Sequence, residues 1–146
     1  MELTMTDIAP ADPAMASDVA PLIRALRPGL TQAGFMEFAA EAHAQGLVFT
    51  AAHGDGRCVA VAAHRVLATS RGRLLFVDDL VTAPGVRSGG IGARLMSELE
   101  ERARRAGCTR IELDSGVSNH GAHRFYHAGR MAIVALHFAR DLSDGR

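Results

Sequence analysis

Residues 86–95 read VRSGGIGARL, a run in which Gly89, Gly90 and Gly92 stand between Arg87 and Arg94. Glycine costs backbone entropy inside a helix, yet a helical period starts here. Ile91, Leu95, Leu99 and Ala103 fall on one face, glutamates occupy the middle, and Arg102, Arg104 and Arg105 crowd the end where the macrodipole favours cations. Gly107 closes the helix. Bare backbone ahead of a helix leaves the unpaired amides of its first turn open to an anion, and the dipole adds partial positive charge. The run therefore predicts a phosphate cradle, with Gly89, Gly90 and Gly92 admitting the ligand and Arg87 adding a charge-assisted contact.

Two familiar phosphate loops are excluded by the letters. No lysine followed by serine or threonine trails the glycines, and GGIGAR does not supply G-x-G-x-x-G. Upstream, LVFTAAH (47–53), CVAVAAHRVLAT (58–69) and RLLFVDDLVT (73–82) are β-rich and separated by the turn signals GDGR and SRGR. They predict three antiparallel strands, which a lone β-α-β unit would not contain. Before them, residues 15–28 and 31–46 carry helical spacing, the second opening on Thr31 as N-cap and closing on Gly46. After the glycine-led helix come TRIELD (109–114) as a strand, SNHGAHRFYHAG (118–129) as a helix closing on Gly129, and MAIVALHFARDL (131–142) as a last strand. The fold class is mixed α/β (α+β), a sheet flanked by helices.

Composition restricts the function classes. A chain of 146 residues, 48% apolar, suffices for one packed core, so residues 1–146 read as a single domain. Lys plus Arg and Asp plus Glu are both 16, which leaves no basic field for nucleic acid or an anionic membrane. Cys58 and Cys108 are isolated, which fits a reducing cytoplasm better than a disulfide framework. MELTMTDIAP lacks the basic and apolar regions of a signal peptide, and no apolar run is long enough to span a bilayer. His120, His123 and His127 share a helix face, but nothing completes a recognised metal spacing, so no metal is expected. His64 and His137 lie on expected strands and read as satisfied core residues. Asp78 and Asp79 sit inside an apolar strand, a local conflict typical of functional sites. Neighbours on a strand face opposite ways, so both serve one pocket only across a bulge, and Asp79 reads evenly as a pocket acid and as one that merely faces solvent or pairs with an arginine.

LVTAPGVRSGGIGARLM resembles the acyl-CoA-binding segment of the GNAT superfamily of N-acetyltransferases, with R-x-x-G-x-G/A on Arg87, Gly90 and Gly92. SNHGAHRFYHAGRM is similar to the family's downstream block, on Asn119, Ala122, Phe125, Tyr126 and Gly129. LDSG followed by AHRFY and HF resembles a bacterial branch whose substrates are mostly unassigned. The resemblance implies a central mixed, mostly antiparallel sheet with a β-bulge in the fourth strand, and acetyl-CoA as co-substrate. It implies direct attack by an amine of a small molecule or peptide in a ternary complex. Tyr126, the one tyrosine in the chain, takes the position of the general acid. Asp78 resembles the family's base, with Glu112 a second candidate. A free amide near Leu80 or Val81 would stabilise the thioester oxygen. Leu80, Val81 and Thr82 would hold the pantetheine arm, and Arg87, Ser88, Gly89, Gly90, Ile91, Gly92 and Ala93 the diphosphate. Asn119 would contact that arm while also serving as an N-cap. The first two helices and LRPGLTQAGF would form one acceptor wall. After Gly129 there is room for about one strand where the family has two, so a homodimer partner is expected to supply the other wall. A CoA-binding regulatory module without acceptor chemistry, and a structural or dimerisation domain, are the alternatives.

Overall fold

The computed structural model describes residues 1–86 and 89–143, which divide into two units, Met1–Leu113 and Asp114–Arg146. The larger unit is built on a five-stranded sheet in the order β1-β2-β3-β4-β5. Its strands are β1 (Thr4–Ile8), β2 (Val48–Gly54), β3 (Arg57–Thr69), β4 (Gly72–Thr82) and β5 (Arg110–Leu113). The first four pair antiparallel, and β5 runs parallel to β4. The three central strands follow the sequence expectation to within a residue. β1 is an addition to it, because no strand is expected before residue 47, yet the N-terminus pairs with β2 from Thr4↔His53 to Ile8↔Phe49.

Both faces of β3 are covered. Val61 and Ala63 join a core with Phe35, Phe49, Met15, Val19 and Ile23 from the N-terminal helical side. Strand alternation turns Ala60 and Ala62, both fully buried, to the opposite face. Small side chains there admit close-packed helix. α1 (Ala20–Leu26) follows a π-helical turn at Met15–Val19, and Pro21 in its first turn has no N–H to give back to that turn. α2 (Gln32–Ala44) opens on Thr31, whose hydroxyl accepts the Gly34 amide at 3.0 Å. Its end places Gly46 at φ 93, with Gly46 N–H donating to His43 O and Leu47 N–H to Ala42 O. This is the left-handed glycine stop that the sequence predicts.

α3 (Ile91–Arg105) buries the expected face, Ile91, Leu95, Leu99 and Ala103, together with Met96. Gly107 ends it in the same way, at φ 75, with Cys108 N–H on Ala103 O. Between α3 and the sheet lies a polar core. His64, 4% exposed, meets Thr50 Oγ1 at 2.8 Å, and that hydroxyl donates to Asp7 Oδ1 at 2.8 Å. The single hydroxyl proton is spent on Asp7, so His64 is the donor in its contact with Thr50. Arg102 closes the chain of bonds on Asp7 Oδ2 at 2.7 Å. Burial, reinforced by the Arg102 charge, lowers the His64 pKa to about 4. His64 is thus the satisfied core histidine expected of it.

The second unit holds α4 (His120–Ala128). Gly129 caps this helix at φ −81, and the left-handed residue is Arg130 at φ 66. The stop therefore falls one residue beyond the expected glycine. Residues 131–142 form no strand, against expectation, and His137 is an exposed partner of Asp114 at 3.0 Å rather than a core residue. A β-rich sequence becomes a strand only where another edge supplies hydrogen-bond partners, and none does so within this chain among the described residues.

Candidate functional site

Along β3 and β4 the register runs Ala62↔Leu80 and Ala63↔Asp79, then slips to His64↔Val77. Asp78 is the extra residue of a β-bulge, in the fourth strand as the family resemblance implies. The bulge breaks the two-residue alternation and gives the adjacent acids different surroundings.

Asp78 is held by both oxygens. Arg65 Nε donates to Oδ1 at 3.1 Å and Nη2 to Oδ2 at 2.9 Å. Asp79 has a side chain only 11% exposed and one bond, from Arg27 Nη2 to Oδ1 at 2.7 Å. Burial raises its pKa above the ordinary aspartate value, against the opposing pull of Arg27. Arg27 caps the C-terminal end of α1. The turn after it is fixed by Arg24, whose Nε donates to Leu30 O at 2.9 Å and whose Nη1 donates to Gln32 Oε1 at 3.2 Å. Glu112 lies opposite Phe76 on β5, gripped by Arg71 Nη2 at 2.9 Å and Arg110 Nε at 2.8 Å. The Arg71 bond leads the causes that lower its pKa. Arg27 and Arg65 escape sequence reasoning, since their partners lie 52 and 13 residues away on another element and nothing local marks them.

β5 accompanies β4 only from Leu74 to Val77. Past Val77, β4 keeps β3 on one side and has no strand on the other among the described residues. The Ala83 amide donates to Val59 O at 2.8 Å, so it points toward β3. By two-residue alternation Val81 does the same, and the amides of Leu80 and Thr82 face the open edge. The sequence left Leu80 and Val81 as equal candidates for the exposed N–H. The register selects Leu80.

β4 runs on into a short turn, Pro84–Val86, and then α3. Gly90 takes φ 74 at the helix N-cap with no side-chain cap, a conformation that favours glycine. The first helical return is Arg94 N–H to Gly90 O at 3.1 Å, so the amides of Ile91, Gly92 and Ala93 have no backbone acceptor among the described residues. The Gly89 amide is instead satisfied by Val86 O at 3.1 Å. Gly89, Pro84, Gly85, Ile91 and Arg94 line a groove of about 370 Å³ beside this turn. Arg87 and Ser88 lie outside the described residues.

In the second unit Asn119 is the N-cap of α4, its Oδ1 accepting the Ala122 amide at 3.2 Å. Tyr126 stands on α4 beside Phe125, ring centroids 5.2 Å apart, and burial raises its hydroxyl pKa. A raised phenol stays protonated and able to give its proton. His123 Nε2 contacts Gly116 O at 2.8 Å, and no group of three or more potential metal ligands converges among the described residues. No helix of the described residues is long and apolar enough to cross a membrane.

The chain matches the Acetyltransferase (GNAT) family over residues 19–129. It is 41% identical over 56 residues to the uncharacterized N-acetyltransferase YhdJ of Bacillus subtilis (strain 168), a stretch covering 38% of this chain and 39% of that protein. It is 40% identical over 50 residues to the aminoalkylphosphonate N-acetyltransferase of Salmonella typhimurium (strain LT2), covering 34% of this chain and 32% of that one. Each match thus spans well under half of the relative. The fold is similar to that of the aminoglycoside N-acetyltransferase AAC(6')-Iy in complex with CoA, with TM-score 0.81 and 17% identity, over 97% of this chain and 95% of that one.

Proposed function

We propose that this protein transfers an acetyl group from acetyl-CoA to a primary amine, on the premise that the chain belongs to the GNAT acetyltransferase family. The observation that carries the proposal is the continuity of β4, turn and α3. One segment of chain offers the strand-edge amides of Leu80 and Thr82 and then the first-turn amides of Ile91, Gly92 and Ala93, which have no backbone acceptor among the described residues. An extended amide-bearing arm ending in a diphosphate has the complementary chemistry. Coenzyme A has both parts, and the structural relative AAC(6')-Iy is a CoA complex. Arg87 and Ser88 would complete the diphosphate contacts.

In the reaction the amine nitrogen attacks the thioester carbonyl, the new C–N bond forms, and the C–S bond breaks. The Leu80 amide is aimed where the carbonyl oxygen gains charge. The amine proton passes to a carboxylate of the β4 bulge. Asp78 and Glu112, the candidates of the resemblance, are each engaged by arginine at both oxygens, whereas Asp79 keeps one oxygen without a partner among the described residues and has a raised proton affinity. Asp79 is therefore the acceptor of choice. Tyr126 returns a proton to the departing sulfur, a role carried by the family pattern and favoured by its raised pKa. The α1–α2 connection, pinned by Arg24, forms the acceptor wall. A small-molecule amine is the preferred acceptor class, in keeping with the names of the aminoalkylphosphonate and aminoglycoside relatives.

Calorimetric titration with acetyl-CoA, followed by a thiol-release assay across an amine library, tests the reading. Binding with release on at least one amine is expected. Binding without release on any amine would favour a regulatory module, and absence of binding would remove the proposal.

A further inference from the structure

On the sheet face that carries Ala63, the acids lie beneath arginines. Ala63 packs toward α1 and α2, and cross-strand pairing turns its β4 partner Asp79 the same way. Arg65, two residues along β3, shares that face with its β4 partner Phe76 and with Glu112 opposite Phe76 on β5. Arginine–acid pairs therefore stand in a row across three strands: Arg27 on Asp79, Arg65 on Asp78, and Arg71 with Arg110 on Glu112. Exposure divides them at the two ends of the row. The Asp79 and Glu112 side chains are 11 and 15% exposed, while Arg27, Arg71 and Arg110 are 60, 58 and 43% exposed. What the row turns to solvent there is guanidinium.

Arg27 stands where α1 gives way to the α1–α2 connection. It donates to Asp79 Oδ1 through Nη2 and makes no other side-chain bond among the described residues. A guanidinium has several further N–H donors in a planar fork suited to oxyanions. The second Asp79 oxygen likewise has no partner among the described residues.

We infer that the acceptor is an amine bearing an oxyanion (carboxylate or phosphate) a short way from its nitrogen, and that Arg27 is the specificity-determining residue that takes the oxyanion while Asp79 takes the amine. The inference rests on the transferase reading of the same site. A carboxylate touching a half-satisfied guanidinium is the complement of a zwitterion: the ammonium donates to Asp79, and the oxyanion accepts from the outward N–H groups of Arg27. With hydrogen bonds of about 2.9 Å at each end, a spacer of roughly two or three carbons joins the two contacts. A polyamine would instead set its further ammonium groups against Arg27, Arg71 and Arg110, a like-charge juxtaposition that selects against it.

Thiol release from acetyl-CoA with amines matched in length tests it: β-alanine and O-phosphoethanolamine against propylamine and 1,3-diaminopropane, within a broader amine library. The expected kcat/KM favours at least one of the two anionic amines by about tenfold or more, and which of them leads tells carboxylate from phosphate. Arg27→Gln should erase that ratio, chiefly through KM, whereas Arg27→Lys, which keeps the charge, should retain part of it. A purely structural ion pair would lower all four rates together and leave the ratio unchanged, and that result would overturn the inference. If Arg27→Gln loses its native circular dichroism, the preference of the unaltered enzyme decides. Release with neutral or cationic amines in preference to anionic ones would also overturn it while leaving the transferase reading standing; release with no amine of the library would remove both.

Discussion

Two adjacent aspartates with the same side chain behave differently because one oxygen pair is filled and the other is half empty. Asp79 must be ionised to take a proton, and its pKa is raised above 3.8. The acid limb of the kcat/KM profile should therefore lie above that of an ordinary aspartate, and Asp79→Asn should abolish the limb and lower turnover. Measuring the profile of both proteins checks this; an unchanged limb would move the role elsewhere. Tyr126→Phe should lower kcat on the order of a hundredfold and leave CoA affinity alone, as stopped-flow and calorimetry would read. His64 makes a separate prediction. Its pKa near 4 in the fold lies below the ordinary histidine value of 6.5, so the unfolded chain binds its proton first. Stability is then full above about pH 6.5 and falls as pH drops toward 4, by on the order of 3 kcal/mol. Denaturant titrations across that window should show the slope, and His64→Gln, which retains a donor for Thr50, should flatten it. The suspicion attached to Asp78 and Asp79 was legible, because acids conflict with an apolar strand. Which of them is clamped was not, since Arg27 and Arg65 act from other elements.

Elements were legible where local chemistry alone specifies them. The Thr31 cap and the left-handed stops at Gly46 and Gly107 need no distant partner, and neither does the apolar stripe of α3. The stop of α4 shows the limit: Gly129 and Arg130 are neighbours, and only the backbone reveals that Arg130 bears φ 66. A non-glycine residue held there is strained, so Arg130→Gly should raise stability by roughly 0.5–1 kcal/mol, visible in thermal unfolding of the full chain. The reverse holds at Gly90, where φ 74 positions the first turn of α3. Gly90→Ala should cost about 1–2 kcal/mol in backbone strain and weaken CoA binding, which calorimetry would read. An alanine variant that binds equally well would detach the phosphate cradle from this turn.

At the scale of the whole chain, the sequence yielded the order of most elements but neither end of it. β1 is five residues long and carries polar letters, and its identity comes from β2 beside it. The 131–142 segment errs the other way, with strand letters and no strand paired to it among the described residues. Both follow from one physical fact, that a strand is defined by its partner and a helix by itself. Ligand linkage works at this scale too. Acetyl-CoA at a hundredfold excess over its dissociation constant should stabilise the protein by about 2.7 kcal/mol, and a thermal shift assay checks it; no shift would leave a structural domain without coenzyme. The open side of β4 has a last consequence for sequence variation. What the edge presents at positions 80 and 82 is main chain, so a saturation library should accept many residues at either site while rejecting proline, the one substitution that deletes the hydrogen the coenzyme would need.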